Sequence, residues 1–400
     1  MSPLRARLRR WIGVALFVAV ALRPIYELYL PAQIPWESTQ LGELPAQRAD
    51  GLVLQDALGA DVWASRGFAL YRSHAGRPFE RAFMLTPRFG PAWAGYSRTF
   101  RDVFRYQELV ELMALDELTL LAFAGGDAYR VELARGTATR VHALRYYGPG
   151  RGRGLMPDGL TRDADGAIYY GEYPTGAPSA GETVRIWRSR DGARSWQVAH
   201  EFAAGEVRHV HAVQWDPYGD ALWVATGDLD PECWIGYSRD HGASFTWIGR
   251  GDQRFRAVSF LFTPNAVSWA MDSPLADKHV MVWKRADGRV SASSAVLPDP
   301  GYYAAPLGGE RGVMSLGETG VSLWLVDDGE PERLLKLDSE PKPNRPHPVI
   351  RLLRSGHADS GVLLLNPLRT RRDDAALYSV SAAHLVRPDP RALAEGAGGR

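Results

Sequence analysis

The sequence predicts an all-β chain folded as a six- or seven-bladed β-propeller with repeated Ser/Asp hairpins, preceded by an N-terminal signal or anchor helix. Three observations lead there: a strand-and-turn texture, internal similarity at the period of a propeller blade, and a hairpin motif that recurs one period apart. Short runs rich in β-branched and aromatic residues alternate with Gly, Asp, Asn and Pro, as strands joined by tight turns do. The 13 tryptophans and 16 tyrosines suit sheets packed face to face, where large rings fill the gaps between layers. The strongest helical pattern spans residues 101–121, where Val103, Phe104, Leu109, Leu112 and Met113 predict one face of a short helix.

The repeats are read from segments that follow a turn, run apolar and finish on a carboxylate. Residues 167–172, 221–228, 266–272 and 321–327 share this form and end on Glu172, Asp228, Asp272 and Asp327, spaced 56, 44 and 55 residues apart. All-strand repeats of roughly 40–50 residues are the signature of propeller blades. Units are expected at about 50–90, 110–145, 155–202, 207–250, 254–298, 310–340 and 348–384, degenerate at both ends of the series. The propeller is expected over residues 45–386. The tail, residues 387–400, with Pro388, Pro390 and a glycine-rich end, reads as disordered.

Residues 1–30 read differently. Arg5, Arg7, Arg9 and Arg10 precede an uncharged apolar run, residues 11–22, closed by Arg23 and Pro24. A basic stretch before a run of this length is a secretory-signal pattern. The run is shorter than the roughly 20 residues of a membrane span, so cleavage and retention as an anchor both stay open. Either places everything after Pro31 outside the cytoplasm: periplasmic, membrane-anchored through the N-terminal segment, or secreted. A formal net charge of +1 offers no basic field for nucleic acid. Of the 47 basic residues only Lys278, Lys284, Lys336 and Lys342 are lysines. Cys233 is the single cysteine, which excludes an intrachain disulfide and a cysteine metal centre.

Two hairpins carry a specific signature. Ser189, Asp191, Gly192, Ala193, Ser195 and Trp196 form one, and Ser238, Asp240, Gly242, Ser244 and Phe245 the other, 49 residues on. An Asp side chain can accept hydrogen bonds from turn amides, and Gly permits the left-handed conformation that reverses the chain. The following aromatic is expected to return to the core. These hairpins resemble the Asp-box (BNR) repeats of the sialidase-like superfamily of propellers, over about residues 155–300. The resemblance implies that Asp191 and Asp240 are structural, on the side away from any active site. Ala193 stands where the motif has Gly, and Gly192 is expected to supply the same freedom.

If the four carboxylate-ending strands are equivalent, Glu172, Asp228 and Asp272 gather at one mouth of the propeller, while Asp327, before Asp328 and Gly329, reads as an ordinary turn. His209 and His211 share one face of a strand, roughly 7 Å apart. Arg256 and Asp158 hold corresponding places one unit later and one unit earlier, and Asp230 follows Asp228. Glu172, Asp228, His209, His211 and Asp272 are therefore the catalytic candidates, with Asp158, Asp230 and Arg256 binding substrate. Two carboxylates of unequal pKa would serve glycosidic cleavage. Alternatively His209, His211 and Asp228 are an acceptable ligand set for a divalent metal, and Arg256 a clamp for a substrate carboxylate or sulfate. A calcium-loop-like spacing at residues 161–166 lacks the acidic first ligand and reads as a turn between strands.

The resemblance also implies what a sialidase would need: an arginine triad, a Tyr–Glu nucleophile pair and an Asp acid/base. No Arg-Ile-Pro segment is present; Arg88 lies in the corresponding region without the pattern, and Tyr173 stands beside Glu172. The sequence therefore points to a glycoside hydrolase or polysaccharide lyase acting on a glycan outside the cytoplasm, or to a non-catalytic propeller binding glycan or protein.

Overall fold

The computed structural model describes residues 29–86, 109–148, 150–176, 181–339, 347–353 and 361–385. The expected signal or anchor up to residue 28, Arg88, Val103, Phe104 and the tail 387–400 lie outside these residues. From Pro31 on, the described residues hold strands, turns and short 3-10 helices but no α-helix, and no described helix is long and apolar enough to cross a membrane.

The chain divides into two compact units. The first comprises Met1–Pro35, Val53–Val258 and Lys342–Arg345; the second comprises Trp36–Leu52, Ser259–Pro341 and Pro346–Arg400. Within the first unit, Val53–Leu58, Asp61–Arg66, Ala69–His74 and Phe79–Met84 pair in sequence order, with Gln33–Ile34 added at the edge. Glu111–Asp116, Thr119–Ala124, Asp127–Glu132 and Thr137–Ala143 form the next antiparallel sheet. The two that follow are Leu160–Arg162, Ile168–Gly171, Val184–Ser189 and Gln197–Phe202, then Val210–Asp216, Ala221–Thr226, Trp234–Ser238 and Thr246–Arg250. A small extra sheet joins Tyr147–Gly148, Gly152–Gly154 and Tyr173–Pro174.

The second unit holds Leu261–Phe262, Ala266–Ala270, Val280–Lys284 and Val290–Ala292, and then Gly301–Gly308, Arg311–Leu316, Val321–Asp327 and Glu330–Leu337. Its third sheet pairs Glu37–Leu41 and Leu44–Asp50 with Ala376–Ser381, Val362–Leu368 and Val349–Arg351, so a segment near the start of the chain hydrogen-bonds to one near its end. Each four-stranded sheet is an antiparallel meander, which needs only short turns between neighbours.

The core lies between successive sheets. Tyr169, Ile186 and Phe202 of one sheet pack with Val210, Val213, Leu222 and Val224 of the next, and Phe245 and Trp247 close the cluster from the side. Trp196 closes the preceding cluster around Phe123, Leu160 and Tyr170 in the same way. Burying one such aromatic contributes about 1.5–3 kcal/mol, which is why the residue after each hairpin returns inward.

Two expectations are corrected here. Residues 111–121 are not helical: Leu112 and Met113 lie in one strand and Leu121 in the next, because both faces of these short strands are buried and a continuous apolar run mimics helical spacing. The strand Val321–Asp327 is not equivalent to the other three carboxylate-ending strands. Ile168–Gly171, Ala221–Thr226 and Ala266–Ala270 are second in their sheets, whereas Val321–Asp327 is third and runs the opposite way. Asp327 sits in the hairpin to Glu330 and pairs with Arg311 at 3.0 Å, a turn residue as expected. The second strand of that sheet is Arg311–Leu316, and the carboxylate two residues beyond it is Glu318.

Both Ser/Asp hairpins join the third and fourth strands of their sheets. Asp191 Oδ1 accepts from the Arg194 and Ser195 amides and from Ser189 Oγ, each at 2.9 Å, and Oδ2 accepts from Ser195 Oγ at 2.6 Å. Asp240 repeats this with Ser238 and Ser244. Burial raises the Asp191 carboxyl and, less, that of Asp240, but the combined hydrogen bonds outweigh it and bring both carboxyls down to about 2. Ala193 itself takes the left-handed conformation, with φ 65°, alongside Gly192 at 66°. Gly192 therefore does not replace the missing Gly; its counterpart in the second hairpin is His241, at 59°. The calcium-loop-like segment is the turn between Leu160–Arg162 and Ile168–Gly171, with Asp163 accepting from the Ala167 amide and Tyr169 OH.

Candidate functional site

The fourth sheet of the first unit begins with a local irregularity that builds the site. Val210 pairs with Thr226 and Ala212 with Ala225, so His211 is an extra residue on its strand, a β-bulge. A regular strand would hold the His209 and His211 side chains about 7 Å apart. Here the two rings are 4.7 Å apart and their Nε2 atoms 2.9 Å. Both imidazoles are 1% exposed.

Each ring is fixed from behind by a backbone carbonyl. Pro174 O lies 2.9 Å from His209 Nδ1, and Ala257 O lies 3.2 Å from His211 Nδ1. A carbonyl only accepts, so each Nδ1 carries a proton, and the two Nε2 atoms face one another and Asp228. Burial pushes His211 down to about 4, against the pull of Asp228. The Tyr173 ring stacks on His209 at 4.1 Å and 19°.

Asp228 completes the group. Its Oδ2 is 3.5 Å from His209 Nε2 and its Oδ1 3.4 Å from His211 Nε2. Ligand atoms of the three residues all lie within 4.8 Å of one another. Gly227, with φ 136°, turns the chain out of the second strand to deliver this carboxylate; a Cβ there would stand 2.9 Å from Cys233 Sγ. Two guanidiniums flank it: Arg256 Nη2 at 3.0 Å from Oδ1 and Arg208 Nη1 at 3.3 Å from Oδ2. Arg256 also donates to the Asp228 carbonyl at 2.9 Å, and Gln253 Nε2 bridges that carbonyl to Asp230 Oδ1. Burial alone would raise the Asp228 carboxyl; hydrogen bonds and charge from His209 and His211 hold it well below the usual carboxylate range, and the two guanidiniums pair with it. Asp228 is 25% exposed, the opening of the group to solvent.

The other sequence-derived candidates fall in different places. Glu172 was expected at the mouth, yet it is 1% exposed, and its oxygens accept from Trp187 Nε1, the Arg185 amide and Arg145 Nη1 at 2.9–3.0 Å. Burial raises its pKa against those donors. The side chain turns into its own sheet, so Glu172 is a buried ion-pair residue rather than a presented acid or base. Its main chain still serves the site, since Glu172 O accepts from the Val210 amide at 3.0 Å. Asp158 is buried in the 3-10 turn Pro157–Gly159, which packs on the His211 strand. Asp230 is exposed at the rim. Asp272 lies in the second unit, 6% exposed; there burial first, and then the charge of Asp272, raise Tyr302, whose hydroxyl donates to Glu318 at 3.2 Å.

Sequence reasoning missed Arg208, Glu232 and the carbonyls of Pro174 and Ala257. Arg208 stands next to His209 in the chain and pairs with both Asp228 and Glu232, the latter at 3.5 Å. No signal marks the carbonyls, because a bulge and a distant turn place them.

No family model matches the chain, and no curated protein matches it. Among solved structures it is similar to an oligogalacturonate lyase from Vibrio parahaemolyticus, with a TM-score of 0.55 and 10% identity over 87% of this chain and 96% of that one. It is also similar to a chain of the mitotic checkpoint complex, with a TM-score of 0.53 and 11% identity over 86% and 98%. Both are propellers built of small antiparallel sheets. The fold is a β-propeller. At such identity the likeness carries the fold alone, and chemistry has to be argued from the site of this propeller.

Proposed function

We propose that this propeller, with one blade for each of the seven four- or five-stranded sheets among the described residues, is an exported polysaccharide lyase acting on an acidic glycan, with a divalent cation held by His209, His211 and Asp228. The observation that carries the reading is the pair of buried imidazoles pinned through Nδ1, with Nε2 atoms 2.9 Å apart beside a carboxylate. Two nitrogens at that distance need a proton or a metal ion between them, and two imidazoles with a carboxylate suit a first-row divalent metal. The carbonyl partners are the usual outer support of such ligands.

The substrate class follows from charge. A divalent cation, Arg208 and Arg256 together outweigh Asp228, Asp230 and Glu232 by one positive charge, which favours an anionic sugar. In a uronate, a base takes the proton from the carbon next to the carboxylate, a double bond forms as the C–O bond to the neighbouring sugar breaks, and the departing oxygen takes up a proton, with no water consumed. A cation held by His209, His211 and Asp228 would neutralise the uronate carboxylate and so acidify that proton. Arg256 and Arg208 orient the sugar through their planar forks. A hydrolase of the two-carboxylate kind is less well supported, because Glu172 is sealed in an ion pair and leaves Asp228 without a second presented acid. The named activity of the oligogalacturonate lyase accords with this reading. We assign the two Ser/Asp hairpins to the Asp-box type, which makes Asp191 and Asp240 structural. Export rests on Arg5, Arg7, Arg9 and Arg10 before the apolar run, in a leader that is cleaved or retained as an anchor.

One observation favours a non-catalytic binding propeller: both Asp228 oxygens already accept from guanidiniums, so the group is electrically satisfied by protein alone. Purified protein incubated with polygalacturonate and related polyuronates, with manganese and with chelator, separates the two. A lyase yields cation-dependent ultraviolet absorbance from the new double bond. Retention of the polymer without product supports the binder, and protein that shows no product and no retention overturns the acidic-glycan reading.

A further inference from the structure

The small three-stranded sheet beside the His pair carries a charge imbalance. Residues 150–154, which include its central strand Gly152–Gly154, present Arg151 and Arg153 between glycines. Gly152 pairs with Pro174 and Gly154 with Tyr173, and the register breaks between them, so Arg153 is an inserted residue on the strand facing Tyr173–Pro174. Those are the residues that hold His209, through the Pro174 carbonyl and the stacked Tyr173 ring. Thr175 N donates to Arg151 O at 3.0 Å, which places Arg151 at the next step of the same edge. Adjacent strands stand about 4.8 Å apart, so the backbone of both arginines lies one strand from Tyr173–Pro174, the residues that hold His209.

The approach is enforced sterically. Gly152 has φ 146°, and a Cβ there would lie 2.4 Å from Tyr173 O and 2.8 Å from Tyr146 O. Around it, Arg145 is paired with Glu172, Arg185 with Glu201, and Arg208 and Arg256 with Asp228. Arg151 and Arg153 have no carboxylate among the described residues. The Arg153 guanidinium, partly buried, meets only the Met156 sulfur at 3.5 Å. A thioether is a weak acceptor and leaves that positive charge uncompensated.

We infer that Arg151 and Arg153 form an anion subsite for the carboxylate of the sugar next to the one held at the His–Asp group, so the ligand is an oligo-uronate of at least two residues. This rests on the acidic-glycan reading above. It assigns the strap a specificity role: the central group takes one uronate, and the strap selects for a charged neighbour over a neutral one.

The test is calorimetric titration of the full chain, loaded with manganese, with galacturonate, digalacturonate and digalacturonate reduced to the neutral alcohol at one sugar. The wild type and the Arg151→Ala/Arg153→Ala double variant are compared, with thermal midpoints confirming that the variant is folded. The wild type is expected to bind digalacturonate about tenfold more tightly than galacturonate or the half-neutral disaccharide, the worth of one charge-assisted contact. The double variant is expected to lose that step, and Arg153→Lys to keep part of it. A tenfold step that persists in the double variant overturns the subsite and leaves the central site standing. Wild-type protein that binds no uronate at all overturns both readings together.

Discussion

Asp228 and Asp240 belong to the same sheet and have opposite roles. Ser238 pairs with Leu222 at the start of the second strand, so the Asp240 hairpin and Asp228 stand at opposite ends of that sheet. Both carboxyls are depressed and both are saturated with donors. The partners of Asp240 are Ser238 and Ser244, at most four residues away, and the side chain is exposed. Asp228 draws on Arg208, His209, His211 and Arg256, between 17 and 28 residues away. Local saturation makes a turn; non-local saturation gathers charges that the chain had to fold to bring together. The second kind alone leaves a group with chemistry to offer.

Three substitutions sharpen that contrast. The largest effect is expected from Asp228→Asn, which removes a charged ligand: cation affinity, read by competition with a chelating dye, should fall more than about 100-fold, beyond what loss of an outer-shell partner costs. Gly171→Ala acts on packing, since a Cβ there would stand 2.4 Å from Val210 Cγ1 on the His strand. It should cost about 1–3 kcal/mol in urea unfolding and weaken cation binding with it, the strand having to move. Asp240→Ala should cost about 1 kcal/mol and leave cation affinity as it was.

The same hairpins make a pH prediction with a fixed sign. A carboxyl at about 2 when folded and near its ordinary 3.8 when unfolded stabilises above pH 4 and loses that contribution as pH falls from 4 towards 2. Asp191→Asn combined with Asp240→Asn should therefore flatten the acid limb of the unfolding midpoint. The smallest effect is expected at Ala193→Gly: relief of a left-handed Ala is offset by the looser unfolded chain and the loss of a buried methyl group, leaving a change within about 1 kcal/mol.

The sequence carried the parts of this molecule that are local. The hairpins at Asp191 and Asp240 were legible because all their hydrogen bonds fall within a few consecutive residues. The strand period was legible because each sheet is an antiparallel meander with short turns. The His209, His211, Asp228 and Arg256 grouping was half legible: their places in successive units suggested proximity, but the bulge at His211 that joins the two imidazoles leaves no mark in composition. Glu172 misled because a strand-ending carboxylate reads the same whether it turns outward or pairs with Arg145 and Trp187 inside the sheet. The strand Val321–Asp327 misled as a look-alike one place later in its sheet, which hid Glu318, while Asp327 itself is the turn residue its neighbours Asp328 and Gly329 suggested.

The measurement that bears most directly on the site is the divalent-cation stoichiometry of purified protein, by elemental analysis and by calorimetric titration with manganese after chelation. One ion per chain, abolished in His209→Ala/His211→Ala while the thermal midpoint of the variant still shows a cooperative fold, is the predicted result. A wild-type chain that takes up no cation, or a double variant that takes it up as well as the wild type, would contradict the assignment of the His pair and Asp228 as a metal centre.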